Sequence, residues 1–328
     1  MFSIRPKFWS VCRIHVDGRD MIAGGSNRRR ILLWDPVSGQ NRIIGRPKRE
    51  TLAMCEVKLD SQPLLASAGI DRQIRLWDPA IGRELVTYGG AHVATINALQ
   101  AVPQADSDLL VSAGDEGVVL VLDLATRSAV RTLDAGGAPI LDLVVFDLGG
   151  ERGLASVGVD AVVRIWNLET GQLVHALEGH EGWVHAVCLV SVGNRRLIAT
   201  AGTDGSIRLW DPVAGELVRA LRPKDSIHTA GIALARGGTV FALCEVQVGG
   251  RTLLAAGGDF PGVWLWDPDQ GRGVGWIGWA GAMDSKPACG WVRGLTTFPH
   301  PDGPALVTGG YDDTLQIFSV KNPVFHGF

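Results

Sequence analysis

The chain has 328 residues, 46% of them hydrophobic, and a formal net charge of −3. That balance offers no global attraction to nucleic acid or to an anionic membrane, and no apolar run approaches the roughly 18 residues needed to span a bilayer. Arg13, His15, Asp17 and Arg19 interrupt any apolar leader near the start, so a cytoplasmic protein is expected.

In chain order, the predicted elements are short strands, and the third strand of each unit ends on one phrase. Ile31 to Asp35 reads Ile-Leu-Leu-Trp-Asp, and it returns at Ile74–Asp78, Val163–Asn167, Ile207–Asp211 and Val263–Asp267. Two degenerate copies end at Leu122-Asp123 and Phe318-Ser319. From marker to marker the steps are 43, 45, 44, 44, 56 and 52 residues. A period in this range signals stacked supersecondary units.

The fifth unit shows the parsing. Trp183 to Val190 forms strand a, a turn falls at Asn194 to Arg196, and Leu197 to Ala201 forms strand b. Thr203-Asp204-Gly205 makes a hairpin into strand c, Ser206 to Trp210, and Asp211 to Gly215 turns into strand d, Glu216 to Leu221. The Asp-Pro-x-x-Gly turn recurs at Asp35, Asp78 and Asp267, with Pro presetting φ and Gly supplying positive φ. No helix is needed. Of the five cysteines, Cys12, Cys55, Cys188 and Cys244 each stand 22 residues before a marker. Equivalent positions in separate units are too far apart for a disulfide, so these are expected to be small buried hydrophobes. Cys289 stands apart as a free thiol.

Four-stranded sheets repeated around an axis bury both faces against their neighbours. The Trp-Asp phrase, Gly179-His180 and the Asp six residues before the Trp together resemble the WD-repeat seven-bladed β-propellers, over essentially the whole chain. Leu-Trp-Asp-Pro and the Val-Cys and Met-Cys strands resemble bacterial, actinobacterial-type members, and six lysines against 25 arginines fit a GC-rich bacterial genome. The fold expected is all-β, one domain over 1–328, with blades ending near 45, 88, 133, 178, 222 and 279. Because Arg5-Pro6-Lys7 repeats Arg46-Pro47-Lys48 and Arg222-Pro223-Lys224, residues 1–4 are expected to close the seventh blade, with 324–328 as the rival.

The resemblance implies a buried hydrogen-bonded chain in blade five, His180, Thr200, Asp204 and Trp210, the one complete set. A His, a Thr and an Asp suggest nucleophilic catalysis, but the same register recurs as Ser67, Asp71 and Trp77, and as Ser156, Asp160 and Trp166. A site that is copied is scaffold. There is no metal motif, and Gly275-x-x-Gly278-x-x-Gly281 lacks the strand-turn-helix context of a dinucleotide loop. No catalytic residue, cofactor or metal is expected.

Function is sought where the repeat breaks. The long steps place insertions at 223–240 and 280–290, on the face that carries the b–c hairpins. There the Asp position holds Phe260 in blade six and Arg28 in blade one, with a milder change to Glu116 in blade three. Trp264, Trp266, Trp276, Trp279 and Trp291 fall within 28 residues, and Tyr311 lies in the seventh hairpin. Such aromatics anchor interfaces. Arg28, Arg29, Arg30, Arg46, Lys48 and Arg49, with Arg5 and Lys7, form a basic group suited to an acidic peptide or phosphate. The expected partner-binding residues are Arg28, Arg29, Phe260, Trp264, Trp291, Tyr311, Arg46 and Lys48. The reading is a non-enzymatic scaffold that binds a protein or peptide, an acidic one included, near blades six, seven and one. The alternative is a small-molecule-binding or enzymatic propeller using His228, Asp284, Lys286 and Cys289 in the long loops.

Overall fold

A computed structural model describes residues 7–222, 238–260, 262–277, 291–310 and 315–320. Twenty-seven strands fill it, and no helix occurs among the described residues. They form seven antiparallel sheets, six of four strands and a seventh of three, each running in sequence order from the centre outward. The innermost strands are Phe8–Val16, Thr51–Leu59, Ile96–Val102, Ile140–Leu148, Val184–Val192, Val240–Val248 and Val292–His300. Each packs on the next, and Phe8–Val16 packs on Val292–His300, so the ring closes. The fold is a seven-bladed β-propeller. Residues 1–4 and 324–328, the two expected sources of the outermost seventh strand, lie outside the described residues.

Blade five refines the sequence parsing. Its strands are Val184–Val192, Arg195–Gly202, Ile207–Asp211 and Glu216–Leu221, and the first turn is Gly193-Asn194. Both faces of every blade are apolar because each is a wall of a core. Ala53, Val57 and Leu76 of blade two meet Ile96, Leu99 and Leu110 of blade three in one cluster. Ala186, Leu197 and Leu209 of blade five meet Val240, Leu243 and Trp266 of blade six in another. Each valine, leucine or isoleucine so removed from water stabilises by about 1.5–3 kcal/mol. The repeated cysteines pack at the edges of these cores and are half-buried and unpaired. Enclosure pushes the thiols of Cys12 and Cys244 up to about 12. Burial first, and then the neighbouring blade's cysteine, pushes Cys55 and Cys188 well above the usual range. They are inert packing groups.

The blades are also stitched through their turns. In each Asp-Pro-x-x-Gly turn the Asp carboxylate accepts backbone N–H groups, as Asp35 does from Val37 at 2.9 Å, and the glycine has positive φ. At the Asp78 and Asp267 turns, and at the related Asn167–Gly171 turn, an arginine on the outer strand of the preceding blade donates to a turn carbonyl, Arg42 to Pro79 among them. Arg131 reaches Thr170 at 2.9 Å, and Arg219 reaches Asp269 at 3.0 Å. The turn glycines Gly171 and Gly271 lie directly under these side chains, where a Cβ would stand within 3.0 and 2.3 Å of them.

Candidate functional site

The ladder between the first two strands shifts register once in every blade, at the same place. Phe8 pairs with Ser26 and Ser10 with Gly25, so Trp9 is left without a partner. The same count leaves out Leu52, Asn97, Leu141, His185, Phe241 and Arg293. A β-bulge re-aims the extra side chain, and all seven line a central cavity of about 450 Å³. Opposite the bulge the second strand ends on Gly69, Gly114, Gly158, Gly202, Gly258 or Gly310 in six blades, and on Ser26 in blade one. A Cβ on Gly202 would stand 1.8 Å from the Trp183 carbonyl oxygen. With glycine there, that oxygen reaches in and accepts the hairpin N–H of Thr203 at 2.9 Å.

On blades five to seven the mouth is aromatic. Trp183 meets His185 at 6.0 Å between ring centroids, His185 meets Phe241 at 5.1 Å, and Phe241 meets Trp291 at 5.9 Å. The Arg293 guanidinium lies 3.7 Å over Phe241 and 5.6 Å from the centre of Trp9. Burial, and then the Arg293 charge, hold the His185 imidazole down to about 4, so it is neutral at physiological pH. Trp183 and Trp291 are 53% and 45% exposed. Below this ring, at a position otherwise held by residues such as Ala53, Ala98, Ala242 and Gly294, stands Asp142. Its carboxylate accepts the N–H groups of Leu143 and, from blade five, Val187, both at 2.9 Å. Burial pushes this acid up to about 7, although its residue is only half-buried and lines the cavity.

Of the residues expected to bind a partner, Trp291 belongs to this strip. Arg28, Arg29, Arg46 and Lys48 are exposed on the same face, with Arg30 and Arg49 beside them. The Ile31–Gly45 pairing brings the two basic loops to one end of their sheet. No ion pair joins these six cations to a described carboxylate. Phe260 corrects the expectation of a surface anchor: it is 6% exposed and packs in the core between blades five and six. Trp264 is half-buried against the same core and meets Phe260 edge-on at 6.4 Å. Elsewhere these two positions hold an ion pair, Asp71–Arg75 or Asp160–Arg164, each at 2.7 Å. Blade six has exchanged a salt bridge for an aromatic pair. Tyr311, Trp279, His228, Asp284, Lys286 and Cys289 lie outside the described residues, as does the side chain of Trp276. Sequence reasoning does not single out Trp9, His185, Phe241 and Arg293, whose signal is their place two residues into each inner strand.

The polar set of blade five forms the expected chain. Trp210 Nε1–H donates to Thr200 Oγ1 at 2.8 Å, Thr200 Oγ1 lies 2.8 Å from His180 Nε2, and His180 Nδ1 lies 2.8 Å from Asp204. A neutral imidazole protonated on Nδ1 satisfies every member. The Asp204 carboxyl, despite its partial burial, is held below the usual carboxylate range by His180 and the N–H groups of Ser206 and Glu181. Among the described residues it is the one complete copy, and blade three carries a partial one that the sequence reading does not name. In blade three His92 lies 2.7 Å from Ser112 and contacts Glu116, with Leu122 in place of the Trp. Glu116 is therefore the acid of a second network, and His92 is hidden in the sequence because Ala91 precedes it. Blades two and four keep the Trp-to-Ser bonds, Trp77 to Ser67 at 2.8 Å and Trp166 to Ser156 at 2.9 Å.

Polar networks recur inside the blades, while the ring at the mouth differs from blade to blade. The family model "WD domain, G-beta repeat" matches residues 171–211 and 286–319. No curated protein matches the chain. The two matched repeats and the seven-bladed fold support a WD-repeat β-propeller, a fold that commonly serves as a protein-interaction scaffold and is generally non-enzymatic. Among the described residues no group of three or more His, Cys, Asp or Glu could hold a metal ion, and no helix is long and apolar enough to cross a membrane.

Proposed function

We propose that this propeller is a non-enzymatic scaffold, working in the cytoplasm, that binds a protein partner on the face of the b–c hairpins near blades six, seven and one. The observation that carries the reading is the exposure of Trp183 and Trp291, 53% and 45%, at the two ends of one aromatic strip. Exposed tryptophans on a rigid frame are favoured interface anchors. The cations Arg28, Arg29, Arg46 and Lys48 on the same face, paired with no described carboxylate, favour a partner with acidic residues. Unpaired thiols in the inner strands fit a reducing compartment. The test is affinity capture from the native cell with the whole chain, set against a W183A/W291A double variant. A partner retained equally by both refutes the assignment of this face.

A small molecule in the central cavity is the second reading, favoured by Asp142, a buried acid raised to about 7 in a space of about 450 Å³. Metabolites that raise the melting temperature of the wild type but not of D142N would support it, and none doing so would remove it.

A further inference from the structure

The rim of the ring is made of sheet edges, and a free edge invites pairing with another chain. In the six four-stranded blades the edges are Asn41–Gly45, Arg83–Tyr88, Ser128–Asp134, Leu173–Leu177, Glu216–Leu221 and Arg272–Ile277. Each pairs with its neighbour through a bulge, one device that turns an edge away from strangers. Five add the second device, a charge, at Arg42, at Arg83 and Glu84, at Arg131 and Asp134, at Glu216 and Arg219, and at Arg272. Leu173–Leu177 of blade four holds no Asp, Glu, Lys or Arg. Its His175 is turned to the next blade, with Nε2 3.2 Å from the Val213 carbonyl oxygen.

This bare edge is also apolar. Leu173 and Val174 are 46% and 41% exposed. The turn of blade five lies against the strand, since a Cβ on Gly215 would stand 2.5 Å from His175 Nδ1. Val213 in that turn and Leu217 just beyond it are 60% and 45% exposed. From blade three, Arg131 donates to the carbonyls of Glu169 and Thr170 just before the strand, and its neighbour Val130 is 51% exposed. Five apolar side chains thus form a band across three blades, bordered by the exposed Arg127, Glu169, Glu178 and Glu216. An apolar centre with a polar border is the anatomy of an interface.

The charge pattern selects the occupant. Across a twofold axis a strand meets itself, so any charge on it enters the contact twice, and a charge buried without a partner is costly. On blade three that operation would carry in Arg131 from both sides. Among the six described edges blade four alone brings no such charge, and a second copy offers it an equally neutral strand and an equally apolar band. A charged foreign strand would find no counter-charge there. In a ring of seven, blade four stands across from the junction of blades seven and one. Contact at its rim therefore leaves the loop-rich face of both copies open, and two such faces on one particle raise avidity for a partner with repeated motifs.

We propose that the rim of blades three to five is a homodimer interface, with the uncharged edge Leu173–Leu177 of each copy antiparallel to the other at its centre. Sedimentation equilibrium of the whole chain across the micromolar range tests it. The wild type should reach a dimer and go no further. V174K gives blade four the kind of edge charge its sisters carry and sets two lysines together across the axis. It should weaken association by at least about 10-fold, and L217E on blade five should do the same. V37K, in the turn of blade one where the native valine is 55% exposed, should leave the dimer intact. Circular dichroism matching the wild type shows that each variant is folded. A monomer throughout the range, a dimer as tight in V174K and L217E as in the wild type, equal loss in V37K, or growth beyond two copies overturns the proposal.

Discussion

Replacing Thr200 with valine keeps the volume of a fully buried side chain and deletes one oxygen. That oxygen serves two partners, the Trp210 indole N–H and His180 Nε2, both at 2.8 Å, and both residues are themselves buried. Each orphaned group costs about 1–3 kcal/mol, so T200V should destabilise by ~2–5 kcal/mol. S67A in blade two orphans a single indole N–H and should cost about 1–2 kcal/mol. Equilibrium urea unfolding, with fluorescence and circular dichroism required to coincide, gives both values. A cycle with W210F isolates the shared term. In the T200V background the indole N–H is already unsatisfied, so W210F should cost about 1 kcal/mol less there than in the wild type. A T200V loss within about 0.5 kcal/mol, the range of a neutral surface change, would refute the view that this chain of bonds holds the blade. Equal losses for T200V and S67A would refute the role given to His180.

Other perturbations test other links. G202A places a Cβ 1.8 Å from the Trp183 oxygen and should cost about 3 kcal/mol, whereas G39A meets no neighbour and suffers only its positive φ, about 1–2 kcal/mol; calorimetry ranking G39A as the worse would contradict the close-approach argument. F260D alone buries an unpaired carboxylate and should cost about 3 kcal/mol or more, while F260D/W264R rebuilds the pair of the sister blades and should recover at least ~1 kcal/mol of that loss; additive unfolding free energies would count against the exchange of pairs. Asp142 is an acid whose folded pKa, about 7, lies above its unfolded value of 3.8. The native state therefore binds more protons between those values, and stability should fall as pH rises through that window. Partial exposure to the open cavity tempers the effect to about 1–2 kcal/mol, and melting curves of D142N should lack it; a wild type that gains on D142N between pH 5 and 7 would reverse the sign.

The period is legible because a blade buries both faces, which forces the same apolar register on every unit and leaves Trp34, Trp77, Trp166, Trp210 and Trp266 as its visible marks. The mouth is not. His185 or Phe241 reads as an ordinary strand residue, and only the glycine that ends the neighbouring strand marks the bulge there. Phe260 reads as exposed because its sisters are polar. The compensating change sits four residues on, at Trp264, and the two weighed together point inward. His92 escapes a search for the Gly-His dipeptide, while the fold requires only the imidazole opposite Ser112.

The bulged position has no partner in the ladder register and, in each blade, lines the central cavity instead of a core between blades. Seven residues, one per sheet, can therefore change identity at little expense to folding, and Trp, Leu, Asn, His, Phe and Arg already coexist there. Recognition and architecture are written at different addresses in the repeat, so new specificity can evolve, or be engineered, by rewriting a seven-letter word while the grammar of the barrel wall stays untouched.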